Sequence, residues 1–153
     1  MKWDLVPLTR GENRTWSNFG GGVPRGHPRL DAPTLVKFEA DNCFATFVDV
    51  RDAVRAAIAL NQAFARANFD TPEDLDIRIC CGIDFGKILL IEQRDFFGDP
   101  VNRACKLGED LADPGEILVT RAAMERLDST TFDYQNANYV ISGIGIDACS
   151  VRY

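Results

Sequence analysis

The chain is 153 residues long, 46% hydrophobic and 26% charged, with a formal net charge of −6 at pH 7. That length supports one domain around a single core. The acidic balance argues against a nucleic-acid backbone binder, which ordinarily carries a basic patch. No run approaches the roughly 18 apolar residues of a membrane span. Neither nucleic-acid binding nor membrane insertion is therefore expected.

In chain order, Met1 to Val6 reads as a short strand. Its first residues lack the apolar core of a signal peptide, so a cytoplasmic location is expected. Arg10 to Pro33 is rich in Gly, Pro, Arg and Asn without helical periodicity, and reads as loop. Within it Gly20-Gly21-Gly22 lacks the Gly-Lys-Ser/Thr ending and the following helix of a P-loop, so it reads as a linker. His27, the only histidine, has no partner cluster in sequence and reads as an exposed loop residue. Residues 1–153 are expected to form one domain, with 1–33 an atypical or truncated segment and 34–153 the regular core.

From Leu35 the pattern sharpens. Leu35 to Ala40 and Cys43 to Val48 are strand-like, joined at Asp41-Asn42, both good turn formers. Asp49 is placed to cap a helix from about Val50 to Ala67, whose Val50, Val54, Ala57, Ile58 and Phe64 fall largely on one stripe. Alternation from Leu75 to Ile83 predicts a half-buried strand. Asp84-Phe85-Gly86-Lys87 predicts a hairpin turn into a strand at Ile88 to Ile91. Asp113-Pro114-Gly115 ends a helix, Glu116 to Val119 is a short strand, and Thr120 caps a further helix. Phe132 to Tyr153 reads as two or three strands broken at Ser142-Gly143. Strands mixed with helices in this order predict an α+β sheet with helices on one face. The five cysteines (Cys43, Cys80, Cys81, Cys105, Cys149) are odd in number and form no C-x-x-C, so buried thiols are expected.

The stretch Asp95 to Leu107 carries the chemistry. It reads as a loop entering a helix, with Asp99 as N-cap and Pro100 at the first helical position. Asn102 and Lys106 are four apart and share a face, while Val101, Ala104, Cys105 and Leu107 can pack inward. An amide and a cation on one face, with a carboxylate before the helix, suit a nucleotide: the carboxylate reads a base edge and the donors hold ribose and phosphate. Arg103 points about 100° away from Asn102 on an ideal helix and is not expected to share that role.

Three segments together resemble the class III adenylate and guanylate cyclase catalytic domains. Asp95 to Lys106 is similar to that family's D-x-x-G-x-x-V-N-x-A-x-[RK] stretch. Val36-Lys37-Phe38-Glu39-Ala40-Asp41 to Phe47 is similar to its V-K-x-x-G-D hairpin. Gly82-Ile83-Asp84-Phe85-Gly86 is similar to its G-I-x-x-G turn. The resemblance implies a ferredoxin-like core sheet and conversion of ATP to 3′,5′-cyclic AMP and pyrophosphate. It also implies two Mg²⁺ or Mn²⁺ ions per site and a head-to-tail homodimer that completes each site from both subunits. By the same likeness Asp41 and Asp4 hold metal, Lys37 and Asp95 read adenine, Asn102 orients the ribose, and Lys106 stands where many members carry a charge-stabilising Arg. Guanylate cyclases of the family tend to carry Glu and Cys at the two base-reading positions, so ATP is favoured over GTP. The family glycine before the metal Asp is Ala40 here, and the glycine of the first loop is Pro7. These departures leave open a second reading, a degenerate domain that binds nucleotide or dimerises without turnover; Asp4 likewise remains either a ligand or a surface carboxylate.

Overall fold

The computed structural model describes the backbone at residues 2–7, 35–91, 95–127, 131–141 and 143–153, and side chains from Lys37 onward within those ranges except at Leu90, Ile141 and Ile144. The loop candidates Gly20-Gly21-Gly22 and His27 lie outside the described residues. A seven-stranded mixed sheet has the spatial order β2 (Leu35–Glu39), β3 (Asn42–Phe47), β1 (Lys2–Pro7), β4 (Cys80–Ile83), β7 (Ile117–Thr120), β9 (Ile144–Arg152), β8 (Asp133–Ile141). β1 pairs in parallel with β3 and β4, and β4 in parallel with β7; the β2–β3, β7–β9 and β8–β9 pairs are antiparallel. A separate two-stranded ribbon joins β5 (Leu89–Ile91) to β6 (Asp95–Phe97).

The α+β class holds, but the helices divide between the two faces of the sheet. Strand side chains alternate between faces, and here both sides are apolar. Ala45, Phe47, Ile117, Val119, Cys149 and Val151 pack with helix α1 (Val50–Asn68) and helix α3 (Arg121–Met124). On the opposite side Phe44 packs with Val101 and Ala104 of helix α2 (Asp99–Cys105), and Leu118, Ile146 and Ala148 pack with Leu107 of its continuation. The central strands are therefore buried on both faces, which is why they read as nearly continuous apolar runs.

Asp49 does cap α1, accepting from the Arg51 N–H at 2.7 Å. The expected strand from Leu75 is shorter than its pattern, beginning at Cys80. Asn68 explains the loss: its side chain donates to the Ile77 carbonyl at 2.8 Å and accepts from the Ile77 N–H at 3.0 Å, occupying the groups a ladder would use. The expected hairpin from β4 into Ile88–Ile91 does not form either. β4 already has β1 and β7 on its two sides, so β5 pairs with β6 instead. Cys43, Cys80, Cys81 and Cys149 are buried thiols and Cys105 is half-buried. Among the described residues no helix is long and apolar enough to cross a membrane.

Two glycines set the position of α2. A Cβ at Gly82 of β4 would lie 2.0 Å from the Ala104 carbonyl oxygen and 2.6 Å from the Gly108 nitrogen, so only glycine lets the helix backbone rest on the strand. Gly98, with φ of 147°, is the N-cap of α2. The cap falls one residue earlier than the sequence predicts, because Gly98 adopts a conformation barred to other residues and Asp99 then begins the helix without a capping bond. From Lys106 to Leu111 the helix widens into a π turn, closed by the Ala112 N–H donating to the Leu107 carbonyl at 2.8 Å. Such turns recur at functional positions in helices.

Candidate active site

Lys37 and Asp95, 58 residues apart, meet: the Lys37 ammonium donates to Asp95 Oδ1 at 2.8 Å. Phe96 secures this meeting. It is buried between Phe44 of β3 and Val101 and Ala104 of α2, with its ring 5.9 Å from that of Phe44 in an edge-on arrangement. β6 is thereby fixed beside the β2–β3 hairpin and Asp95 is set opposite Lys37. The pair is part-exposed, with Lys37 also bonded to Glu39 at 2.5 Å. The Asp95 hydrogen bond, then that of Glu39, holds the Lys37 ammonium above its ordinary range. The Lys37 bond, then the Phe96 N–H, holds the Asp95 carboxyl below its own. Both groups are charged at neutral pH. Among the described residues Asp95 Oδ2 accepts no hydrogen bond, so it can still accept from a ligand amine.

Asn102 and Lys106 are exposed on one side of α2 and line a cleft of about 660 Å³ between that helix, the start of α3 and β9. Lys37, Asp95 and Asp41 do not line it. Lys106 is occupied: its ammonium donates to Asp110 Oδ2 at 2.6 Å, one turn along, and that bond raises its pKa. Arg103 and Arg121 join Lys106 in the cleft wall, against Glu125 and Asp147.

Arg103, set aside in the sequence on its helix angle, also lines this cleft. Its Nε donates to Asp84 Oδ2 at 2.5 Å, and Asp84 is fully buried at the end of β4. Asp84 Oδ1 also accepts from the Thr120 hydroxyl at 2.5 Å. A signal was available in Gly82-Ile83-Asp84, since a carboxylate ending a buried strand requires a cationic or hydroxyl partner. Although it lies about 100° from Asn102 on an ideal helix, the long Arg103 side chain reaches the cleft wall from its flanking position.

Asp41 is exposed at the tip of the β2–β3 turn. Ala40 before it has φ of 52°, a left-handed conformation that costs a non-glycine residue about 1–2 kcal/mol. Behind the tip, Asn42 donates to Glu109 of the π turn at 3.0 Å. The backbone of Asp4 is level with Phe44 on β3 and Gly82 on β4, and its side chain lies outside the described residues. No three His, Cys, Asp or Glu side chains among the described residues are grouped to hold an ion. An exposed turn carboxylate nevertheless fits Mg²⁺, which is ordinarily held by one or two carboxylates, waters and substrate phosphates rather than an all-protein cage.

The domain thus presents a mixed sheet with a cation–carboxylate pair at one edge, and an amide beside two arginines in a cleft. The sequence matches the adenylate and guanylate cyclase catalytic domain family over residues 40–144. It is 38% identical over 106 residues to "Putative adenylate cyclase 3" of Rhizobium meliloti (strain 1021); the match covers 69% of this chain and 18% of that protein, so the chain spans under a fifth of that relative's length. The fold is similar to a solved adenylate/guanylate cyclase/hydrolase from Silicibacter pomeroyi, with a TM-score of 0.67 and 27% identity over 76% of this chain and 71% of that one. The chain belongs to the adenylate and guanylate cyclase catalytic domain family.

Proposed function

We propose that this chain is a single catalytic domain, its core in residues 34–153, that converts ATP to 3′,5′-cyclic AMP and pyrophosphate as a head-to-tail homodimer in the cytoplasm. The observation that carries the reading is the Lys37–Asp95 pair. Adenine presents a ring-nitrogen acceptor beside an exocyclic amine donor, and an ammonium next to a carboxylate is the complementary arrangement. The Asn102 amide, exposed on α2, orients the ribose. The 3′-oxygen attacks the α-phosphorus, the bond to pyrophosphate breaks, and the 3′-hydroxyl proton passes to solvent water. Catalysis of this kind is mostly positioning and charge stabilisation. Asp41, with Asp4, would hold the two divalent ions, Mg²⁺ or Mn²⁺, which when bound neutralise phosphate charge and acidify the 3′-hydroxyl.

Two observations favour a second reading, nucleotide binding without turnover. Lys106, the expected charge stabiliser, is engaged by Asp110. The metal-bearing turn is built on a strained alanine rather than a glycine. Mass spectrometry of the products formed from the four ribonucleoside triphosphates with Mn²⁺ separates the two. Cyclic AMP that disappears in Asp41→Ala supports the cyclase, and bound but unconverted ATP supports the binder. Mixing Asp41→Ala with Asn102→Ala subunits restores activity if sites are shared across the dimer. No recovery between variants that still dimerise counts against shared sites.

A further inference from the structure

We propose that Arg103 grips the triphosphate of the nucleotide, locked in place by the buried carboxylate of Asp84, and that Lys106 does not. This deepens the cyclase reading and rests on it.

Asp84 is fully buried yet makes two short hydrogen bonds, one to the Thr120 hydroxyl and one to Arg103 Nε. Thr120 is also buried, and its oxygen accepts from the Ala123 N–H at 3.2 Å, capping α3. A continuous chain of bonds thus runs from α3 through the end of β7 and the end of β4 to α2. It ends on a guanidinium whose side chain is 44% exposed in the wall of the cleft, next to Asn102. Nε is the only donor of Arg103 used within the described residues. Four N–H groups remain, in the planar fork that suits phosphate oxygens.

Lys106 offers less. Both cations are formally balanced by a carboxylate, so charge alone does not separate them. Rigidity does. The Lys106–Asp110 bond joins two half-exposed side chains on one helix turn, which hold a single geometry weakly. The Arg103 anchor cannot swing away, because Asp84 has no solvent to turn to. A donor held before the ligand arrives needs no reorganisation when charge develops on the phosphates. A purely structural pair would need only the Nε contact, and an amide could supply it; the fork in the cleft wall is surplus to that role.

The test uses Arg103→Gln, which keeps an N–H for Asp84 and removes the cleft cation, beside Lys106→Gln and Asp84→Asn. Inorganic triphosphate and adenosine are titrated separately with Mg²⁺ by calorimetry. Arg103→Gln is expected to weaken triphosphate binding about tenfold to a hundredfold, the worth of a charge-assisted bond, with adenosine affinity within about twofold. Lys106→Gln is expected within about threefold on both. For Asp84→Asn, a positioning change, the KM for ATP rises while the preference for ATP over GTP stays. Should Arg103→Gln melt below the assay temperature, the Asp84→Asn/Arg103→Gln pair, with no buried charge, replaces it. Triphosphate affinity within twofold of wild type in a folded Arg103→Gln or double variant overturns the assignment while leaving nucleotide binding intact. Wild-type protein that binds neither probe overturns the underlying reading, and this inference with it.

Discussion

Two ion pairs flank α2 and are built in opposite ways. Lys37–Asp95 joins an edge strand to a short ribbon, with both partners part-exposed. Arg103–Asp84 ends on a carboxylate with no exposure at all. An exposed pair is worth about 0–1 kcal/mol, so a ligand can insert into it or rotate it at small cost. Stripping the cation from a buried carboxylate costs several times more. Under the proposed function the contrast fits two tasks: groups that would exchange partners with a base are loosely held, and a group that would stay aimed is fixed from inside the core.

The largest effect should come from breaking the fixed pair. Arg103→Ala leaves Asp84 buried without a cation and is expected to destabilise the fold by about 3–5 kcal/mol in urea unfolding, whereas Lys37→Ala should change stability by less than about 1 kcal/mol. Next in size, Lys37→Ala should lower ATP affinity by about tenfold to a hundredfold, the loss of one charge-assisted hydrogen bond, read by titration with ATP. Smaller still, Ala40→Gly should raise stability by about 1 kcal/mol by relieving the left-handed φ beneath Asp41; an unchanged unfolding midpoint would place that strain elsewhere.

The smallest expected effect is a flat pH profile. The Asp95 pKa is lowered in the folded chain, so its contribution is complete above the ordinary value of 3.8 and is lost as pH falls through the lowered one. The Lys37 pKa is raised, so its contribution is complete below 10.5 and is lost as pH rises through the raised value. Binding of adenosine, which carries no titrating phosphate, should therefore not vary through this pair between about pH 5 and pH 9. A titration step inside that window would mean that another group reads the base.

Much of the fold was legible because local signals agreed with tertiary demands. Asp49 and Thr120 cap the helices they precede, and the hairpin around Asp41 forms where two turn residues separate apolar runs. The failures share a cause. Periodicity reports a face and says nothing of a partner, so the Leu75–Ile79 alternation promised a ladder that Asn68 pre-empts, and Leu89–Ile91 was assigned to a strand already paired on both sides. The one-sided layout failed for the same reason: apolar residues on both faces of β3 and β7 called for cover on both. At the site, residues carried by motif spacing were found together where they lie on one helix or on facing strands. The Arg103–Asp84 contact was not, because a carboxylate at the end of a buried run calls for a partner without naming which residue, 19 positions away, supplies it.

The most direct test of the central claim, that Lys37 and Asp95 read the base, is to exchange their chemistry. The variant Lys37→Glu/Asp95→Cys replaces an ammonium donor and a carboxylate acceptor with a carboxylate acceptor and a small thiol, the set suited to guanine. The ratio of kcat/KM for ATP to that for GTP is then compared with wild type, taking binding affinities if turnover is absent. The account predicts that the ratio falls by at least tenfold and moves toward GTP. A ratio unchanged in a folded, dimeric variant would contradict it.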